Sequence, residues 1–289
     1  MASSFRTSCP TIVAQSQVPA TGGVATTMDP SPGRGENRTV PTPTPTPVPS
    51  PGPPSSDPRP PSATRPSDRP ARLVLVTGTG TGVGKTWVAA RLLERLAGGG
   101  HTVAARKPVQ SFDPADPPGG TDADLLGAST GEPPDRVCPP DRWYEVPMAP
   151  PMAADVLGRP PFTVADLVAE LAWERGIEVG LVEAAGGVRS PLAVDGDGPE
   201  LALLLGPDAV LLVADAGLGT INAVRLAAAA LVPVAPSPVV VLNRFDEDDD
   251  LHRRNLEWLR RDGFDVVSLP GGEEALCRRV LATPARPAG

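Results

Sequence analysis

A glycine-rich segment between an apolar strand and a helix constrains this chain more than any other part of its sequence. Apolar residues 73–76 precede the segment Gly78-Thr79-Gly80-Thr81-Gly82-Val83-Gly84-Lys85-Thr86, and apolar residues at helical spacing follow it. This arrangement directs backbone N–H groups and a helix dipole at an anion. In such a loop residues 82–84 hold phosphate, Lys85 reaches the β- and γ-phosphates, and the Thr86 hydroxyl holds Mg²⁺. The first glycine lies one position from the usual spacing, and a glycine turn without a ligand is the alternative.

Apolar segments alternate with helical patterns throughout residues 71–289. Strands are predicted at residues 73–76, 102–107, 179–183, 209–214, 239–242 and 266–269, and helices at residues 86–97, 164–175, 221–231 and 251–261. Near-continuous apolar strands that alternate with helices indicate a parallel sheet covered on both faces. We therefore predict a single α/β domain of the P-loop NTPase type, with its ligand at the carboxyl ends of the strands.

The first 70 residues have a different composition. Between residues 41 and 70 nearly every second residue is proline. Such a segment favours extended polyproline II and has almost nothing apolar to bury. Residues 1–70 are therefore predicted to be a disordered extension, and residues 71–289 the folded domain.

Charge, hydropathy and cysteine usage argue against several classes of function. The net charge of −8 disfavours a nucleic-acid partner, because phosphate backbones need a basic footprint. The sequence lacks a run of about 18 apolar residues and the apolar core of a secretory signal, so no membrane partner is expected. Three widely spaced cysteines fit neither a disulfide framework nor a metal site, which indicates a reducing cytoplasm.

Lysine is scarce in this chain. Of the 26 basic residues only Lys85 and Lys107 are lysine. An ammonium on a slim stem is not interchangeable with a guanidinium where it must reach a phosphate, so Lys107 is expected to act with the loop; survival by chance is the alternative. Lys107 ends the second predicted strand, where Pro108 fixes the turn. That turn would direct Lys107 and the Ser111 hydroxyl at the γ-phosphate, unless the segment is only a solvated strand end.

Two carboxylates are candidate metal ligands. Asp122 follows a Pro/Gly-rich loop, and Glu183 ends an apolar strand. Because Mg²⁺ takes hard oxygen donors together with phosphates, each carboxylate could join Thr86. For Asp122 a plain helix N-cap is the stronger expectation from the sequence alone. For Glu183 a charge that marks the end of the strand is an equal alternative.

Two further motifs follow predicted strands. The segment Leu218-Gly219-Thr220-Ile221-Asn222 opens a helix, and a helix start beside glycine can bind an anion. Ordinary capping is its alternative. Asn243 ends the next strand and is placed to read the edge of a base, with strand-end turn chemistry as the alternative.

In their order along the chain, these motifs resemble dethiobiotin synthetase, the family of ATP-dependent ring-closing enzymes of biotin synthesis. The resemblance runs from about residue 73 to residue 270 and covers residues 76–86, 107–109, 121–122, 182–187, 218–222 and 243, with a Pro/Ala-rich segment at residues 147–150. Each motif except the glycine loop is weak by itself, but six in the right order are specific. The resemblance implies a homodimer that converts 7,8-diaminononanoate, CO₂ and MgATP into dethiobiotin, ADP and phosphate.

The resemblance also implies a role for each matching residue. The implied catalytic residues are Lys85, Lys107 and Thr81. Those implied to bind ATP are Gly82, Val83, Gly84, Lys85, Thr86, Glu183, Asn243 and Pro270. Those implied to bind the other substrates are Ser111, Pro150, Gly186, Leu218, Gly219 and Asn222, of which the last three would bind the substrate carboxylate across the dimer interface. The implied Mg²⁺ ligands are Thr86, Asp122 and Glu183.

The chain departs from the family pattern in places. Ala184 stands where glycine is frequent, Ala223 where histidine is common, and Gly217 supplies no cation before the helix start. Two alternatives remain. One is a nucleotide-switch ATPase of the partitioning type, which usually carries a lysine at the position of Gly80. The other is a family member that binds ATP without closing the ring.

Overall fold

The structure is a computed structural model that describes residues 69–115 and 119–284. The predicted disorder of the proline-rich extension lies outside the described residues, except for its last two positions. Of these, Arg69 donates hydrogen bonds to the carbonyl oxygens of Leu205 and Gly206, at 2.7 and 2.6 Å, and Pro70 is buried. The described fold therefore begins two residues before the predicted boundary at residue 71.

Six parallel strands of the described residues form one sheet, as predicted. The strands in chain order are β1 (Arg72–Gly78), β2 (Val103–Arg106), β3 (Gln110–Ser111), β4 (Trp143–Tyr144), β5 (Val179–Glu183), β6 (Ala209–Asp215), β7 (Val239–Asn243) and β8 (Val266–Ser268). The order across the sheet is β2-β5-β1-β6-β7-β8, and β3 pairs only with β4. The register places Val76 beside Glu183 and Thr77 beside Leu212, so the strands that flank β1 end close to the glycine loop.

Helices cover both faces of this sheet. They are α1 (Lys85–Gly98), α2 (Asp122–Thr130), α3 (Pro134–Val137), α4 (Pro150–Val156), α5 (Val164–Ala169), α6 (Gly198–Leu205), α7 (Thr220–Leu231), α8 (Asp250–Arg261) and α9 (Glu273–Ala282). The sequence pattern predicts α1, α5, α7 and α8, and the N-cap expected at Asp122 implies a helix at the position of α2. It does not predict the other four. Among the described residues, no helix combines the length and apolarity needed to cross a membrane.

Alternation along β1 divides the core into two layers. Val74 and Val76 face a layer built with α1, α2 and α9, whereas Leu73 and Leu75 face a layer built with α5, α6 and α7. All four side chains are at most 2 % exposed. Full burial of each such side chain contributes about 1.5–3 kcal/mol, which explains why this strand is apolar on both faces.

The predicted helix at residues 164–175 is shorter than expected, because α5 ends at Ala169. Beyond it, Leu171 is buried in the core and the carbonyl oxygen of Ala172 accepts a hydrogen bond from Arg106 Nε at 2.6 Å. Residues 171 and 172 thus make tertiary contacts in place of the last turns of the predicted helix.

Candidate active site

The glycine loop connects the carboxyl end of β1 to the first turn of α1. Gly84 precedes α1 with a φ of 90°, and no side chain caps this helix start. The first N–H groups of α1 are therefore free of side-chain caps and face the loop, where they can bind an anion. A Cβ on Gly84 would lie 2.1 Å from Asn243 Nδ2, so the position requires glycine for space as well as for conformation.

Lys85 extends along the inner side of this loop. Its Nζ donates a hydrogen bond to the carbonyl oxygen of Gly80 at 3.1 Å, and the residue is only 6 % exposed. Burial, together with the nearby ammonium of Lys107, lowers the pKa of Lys85 to about 8 against the opposing effect of the Glu183 and Asp122 carboxylates. An anion beside Lys85 would stabilise its charged form, since an opposite charge favours ionisation.

Four side chains from four parts of the chain meet beside the loop. Lys107 Nζ lies 2.6 Å from Asp122 Oδ2 and 2.6 Å from Glu183 Oε1. Thr86 Oγ1 lies 2.7 Å from Asp122 Oδ1 and 2.9 Å from Glu183 Oε1. Both Lys107 and Glu183 are at most 1 % exposed. The structure thus brings together Lys107, one of the two predicted catalytic lysines, and all three predicted metal ligands.

The expectation that Asp122 caps a helix is wrong. Thr121 is the N-cap of α2, since its hydroxyl accepts from the Asp124 N–H while the Asp124 carboxylate accepts from the Thr121 N–H. Asp122 is therefore the first residue inside α2, and its carboxylate is available to Lys107 and Thr86. The strand-end alternative for Glu183 is also wrong, because this side chain is fully buried rather than directed into water.

Burial and charge act in opposite directions on the pKa values of this cluster. For Lys107 burial favours the neutral form, but Asp122 and Glu183 outweigh it and raise the pKa of the ammonium. For Asp122 burial is likewise outweighed, and Lys107 keeps the pKa of the carboxyl below its ordinary value. For Glu183 complete burial raises the pKa, with Asp122 adding to the effect and Lys107 opposing it.

The donor set fits a small, hard divalent cation. Thr86, Asp122 and Glu183 supply a hydroxyl and two carboxylates, and Glu183 Oε2 is buried without a hydrogen-bond partner. Mg²⁺ is commonly held by one or two carboxylates, with phosphate and water completing its octahedron. In the described part of the chain, no group of three or more His, Cys, Asp or Glu side chains is arranged for a metal. The set therefore suits a cation that a phosphate helps to hold, rather than a cage made of protein alone.

A cavity of about 500 Å³ opens in front of this cluster. Its wall includes the predicted residues Thr81, Gly82, Gly84, Lys85, Thr86, Lys107, Ser111, Asp122, Pro150, Glu183 and Gly186. Met148 and Ala149, from the Pro/Ala-rich segment, also line it. Its volume lies within the range of small-molecule sites.

The sequence reasoning missed three residues of this wall, namely Gln110, Ala185 and Ser190. Gln110 accepts a hydrogen bond from the Ala123 N–H, whereas its Nε2 is buried without a partner. Ser190 Oγ accepts from the Gly187 N–H at 2.9 Å and so fixes the turn after β5. The pair Gly186-Gly187 was the available sequence signal for this turn, and Gly186 has a φ of 66° in the structure.

Other predicted residues lie outside the wall of the cavity. Leu218, Gly219 and Asn222 are exposed at the start of α7, where Leu218 is 91 % exposed. Pro270 is an exposed residue after β8. Val83 lies behind the loop, where its carbonyl oxygen accepts a hydrogen bond from Asn243 Nδ2 at 3.0 Å.

Asn243 therefore contacts the back of the loop, and the residue after it does the same. Arg244 donates to the carbonyl oxygen of Gly82 at 2.7 Å and pairs with Asp215 at 2.9 Å. Its φ of 56° makes it the one non-glycine residue with positive φ in the described ranges. The sequence reasoning missed Arg244, because an exposed arginine after a strand carries no local signal.

Comparison with known proteins shows the family of this chain. The family model described as AAA domain matches residues 72–267. The ATP-dependent dethiobiotin synthetase BioD of Caulobacter sp. (strain K31) is 39 % identical over 216 residues, which cover 70 % of this chain and 91 % of that protein. This chain belongs to the dethiobiotin synthetase BioD family. The matched part begins with β1, so the family covers the sheet and the cavity.

Other BioD proteins match a shorter part of the chain. The protein of Caulobacter vibrioides (strain NA1000 / CB15N) is 41 % identical over 142 residues, which are 48 % of this chain and 64 % of that protein. The protein of Anaeromyxobacter dehalogenans (strain 2CP-C) is 38 % identical over 174 residues, which are 58 % of this chain and 74 % of that protein. The chain thus spans slightly less than two thirds of the Caulobacter vibrioides relative.

Proposed function

We propose that this chain is an ATP-dependent dethiobiotin synthetase. It would convert 7,8-diaminononanoate, CO₂ and ATP into dethiobiotin, ADP and phosphate. The observation that carries the proposal is the position of Lys107 Nζ, which lies 2.6 Å from both Asp122 and Glu183 and in the wall of the same cavity as Lys85. A second ammonium beside a phosphate loop suits a reaction that transfers a phosphoryl group to an acceptor oxygen.

The glycine loop would hold the triphosphate of ATP. The uncapped start of α1 offers N–H groups, and Lys85 adds an ammonium on the inner side. Asn243 and Pro270 lie at the carboxyl ends of β7 and β8, next along the sheet, where the base would lie. We assign both residues to nucleotide binding.

The acceptor side of the cavity would hold the diamine. Thr81, Ser111, Pro150 and Gly186 line this space together with Lys107. Ser111 Oγ is buried without a hydrogen-bond partner, which leaves it able to bond an acceptor group that enters the site.

A homodimer would complete the substrate site. Leu218, Gly219 and Asn222 lie outside the cavity wall of their own chain, and Leu218 is almost fully exposed. We propose that a second copy supplies this helix start, whose N–H groups would bind the substrate carboxylate.

The proposed reaction has three bond-forming steps. One amine of the diamine attacks CO₂, loses a proton and becomes a carbamate. A carbamate oxygen then attacks the γ-phosphorus of ATP, and the bond to the β-phosphate oxygen breaks to release ADP. The second amine attacks the carbonyl carbon of this carbamic–phosphoric anhydride, loses a proton and expels phosphate as the ureido ring closes. Each step requires stabilisation of developing negative charge on oxygen.

Particular side chains of this chain meet that requirement. Lys85 would bind the transferring phosphoryl group from the nucleotide side, and Lys107 would bind it and a carbamate oxygen from the acceptor side. Thr81 would donate a hydrogen bond to the same oxygens. Thr86, Asp122 and Glu183 would hold Mg²⁺, which would supply positive charge at the phosphate oxygens.

The departure at Ala184 does not obstruct this chemistry. Ala184 is 2 % exposed and packs in the core layer that contains Leu75, while its N–H bonds to the carbonyl oxygen of Val76. The cavity is lined by the next residue, Ala185, and not by Ala184. The methyl group that replaces a family glycine therefore lies in the core rather than beside the substrate.

The decisive experiment is incubation of the purified chain with diaminononanoate, bicarbonate and MgATP, with dethiobiotin detected by mass. We expect dethiobiotin and ADP in equal amounts, and neither without the diamine. The Lys107→Ala variant, purified in parallel, controls for enzyme carried over from the expression host. ADP formation that ignores the diamine and gives no dethiobiotin would instead favour the nucleotide-switch ATPase. ATP binding without turnover would indicate a family member that does not close the ring.

A further inference from the structure

Lys107 follows a buried arginine whose charge has no role in the proposed reaction. Arg106 is 2 % exposed, and its guanidinium lies over the ring of Trp173 at 4.8 Å from the centroid. Its Nη1 lies 2.6 Å from Glu132 Oε1. Taking both charges out of water is costly unless the pair is well hydrogen-bonded. The further hydrogen bonds of Arg106 and Glu132 therefore indicate which part of the backbone the pair holds in place.

The pair closes a ring of interactions around the backbone of a single residue, Ala105. Glu132 Oε2 accepts a hydrogen bond from the Ala105 N–H at 2.9 Å, and Arg106 Nη1 donates to the carbonyl oxygen of Ala105. β2 is an edge strand of the sheet, paired on one side with β5. Side chains therefore satisfy the N–H and carbonyl of Ala105 where another strand would otherwise bond.

Helix α2 connects this ring to the site. Its first residue, Asp122, pairs with Lys107, and Glu132 follows two residues after its end. The backbone of Glu132 is held by the left-handed Gly131 and by a hydrogen bond from its N–H to the carbonyl oxygen of Gly127. A Cβ on Gly127 would lie 2.6 Å from the Glu132 carbonyl oxygen, so close packing fixes this turn.

Two consecutive basic residues are thus contacted from opposite ends of α2. Asp122 contacts the Lys107 ammonium, and Glu132 contacts the Arg106 guanidinium. The Lys107 N–H also donates to the carbonyl oxygen of Val137 at 2.7 Å. A shift of the end of β2 would move Lys107 relative to its carboxylates, and this ring resists such a shift.

We propose that Arg106 and Glu132 are positioning residues that fix the end of β2, so that Lys107 reaches the reacting oxygens. This inference rests on the proposed function for the role of Lys107, but the geometry that carries it lies outside the cavity wall. Neither Arg106 nor Glu132 lines the cavity. Their contribution is to the direction of the Lys107 side chain.

The test compares Arg106→Lys and Glu132→Gln with Arg142→Lys as a matched control. Arg142 also pairs with a carboxylate, that of Glu170, and lies over the ring of Phe162 at 4.5 Å. Lysine keeps the charge but cannot form the fork of hydrogen bonds. We expect both ring variants to lower kcat roughly 10- to 100-fold, as a small misplacement of a catalytic group does, while KM for ATP stays unchanged. Arg142→Lys should leave both constants as in the wild type.

Two results would overturn the proposal. One is a kcat of both ring variants equal to that of Arg142→Lys. The other is a parallel loss of kcat and ATP affinity in both, which would indicate a general loss of structure instead of a misplaced lysine. If either Arg106→Lys or Glu132→Gln fails to fold, the remaining variant is compared with Arg142→Lys and tests the proposal by the same two criteria.

Amide hydrogen exchange gives a readout that does not depend on the reaction. In Arg106→Lys and Glu132→Gln the amides of Ala105 and Lys107 should exchange faster than in the wild type, while that of Val241 in β7 should not change. If the wild type makes no dethiobiotin, the proposed function fails, and amide exchange alone then tests whether Arg106 and Glu132 position Lys107. Unchanged exchange at Lys107 in both variants would overturn the positioning role.

Discussion

Lys107 Nζ lies 2.6 Å from Glu183 Oε1, and both side chains are almost inaccessible to solvent. A buried ion pair is a poor indicator of stability, because desolvation opposes the attraction between the charges. The location of the Lys107–Glu183 pair beside the phosphate loop indicates a role in the reaction rather than in stability. Buried charges that are held ready at the site of reaction stabilise a transition state without reorganisation.

We expect Lys107→Arg to lower turnover roughly a hundredfold or more, if the lysine stabilises charge in the transition state. The substitution keeps the positive charge but places a planar fork where a compact ammonium fits. Steady-state phosphate release with diamine and bicarbonate present measures the effect. Arg253→Lys, the reverse exchange at an exposed ion pair of α8, should leave turnover unchanged. Near-normal turnover of Lys107→Arg would exclude the catalytic role.

The first turn of α2 offers a matched pair of aspartates. Asp122→Asn should raise the Mg²⁺ concentration for half-maximal activity by about tenfold or more, because a charged oxygen ligand is lost. Asp124→Asn should leave the Mg²⁺ dependence unchanged, since Asp124 only completes the capping box with Thr121. Its cost should appear as about 0.3–1.5 kcal/mol of unfolding free energy. Equal Mg²⁺ dependence of the two variants would contradict the metal assignment.

Cys138 provides a test of packing beside the Lys107 strand. It is fully buried, and burial raises the pKa of its thiol from 9.0 to about 12. At pH 8 about one thiol in 10,000 is then ionised, and the thiolate is the reactive form. Iodoacetamide should therefore leave Cys138 unmodified in the folded chain and modify it in guanidinium chloride, as peptide mass analysis would show. Rapid modification in native buffer would mean that this layer opens.

The sequence predicts the parts of the site whose geometry is local or follows from sheet order. Strand, glycine loop and helix are contiguous, so Lys85 and Thr86 could be placed from their neighbours alone. Lys107 directly follows β2 and Glu183 ends β5, which are adjacent parallel strands, and the carboxyl ends of such strands meet at one edge. Their convergence therefore follows from the alternation of strands and helices along the chain.

Contacts between distant segments account for what the sequence could not predict. Glu132 meets Arg106 across 26 positions, and Arg244 meets Gly82 across 162. No pattern in either segment indicates such a pair. The segment after α5 makes a contact of the same kind, since the carbonyl oxygen of Ala172 accepts a hydrogen bond from Arg106 across 66 positions. The capping box of Thr121 was the local signal that could have moved Asp122 inside its helix.

Gly84 and Asn243 provide a test of the loop itself. A Cβ on Gly84 would lie 2.1 Å from Asn243 Nδ2, and its φ of 90° is one that other residues rarely adopt. Gly158 has a φ of 63° but open space around its Cα. Alanine at either position incurs backbone strain of about 1–3 kcal/mol, but only Gly84→Ala also displaces the amide that holds the loop.

We therefore expect Gly84→Ala to weaken ATP binding by about tenfold or more, equivalent to about 1.4 kcal/mol, and Gly158→Ala to leave it unchanged. Isothermal titration calorimetry with MgATP measures both affinities, and thermal unfolding measures the strain that the two variants share. Equal ATP affinities for Gly84→Ala and Gly158→Ala would show that strain, and not the contact with Asn243, governs this loop.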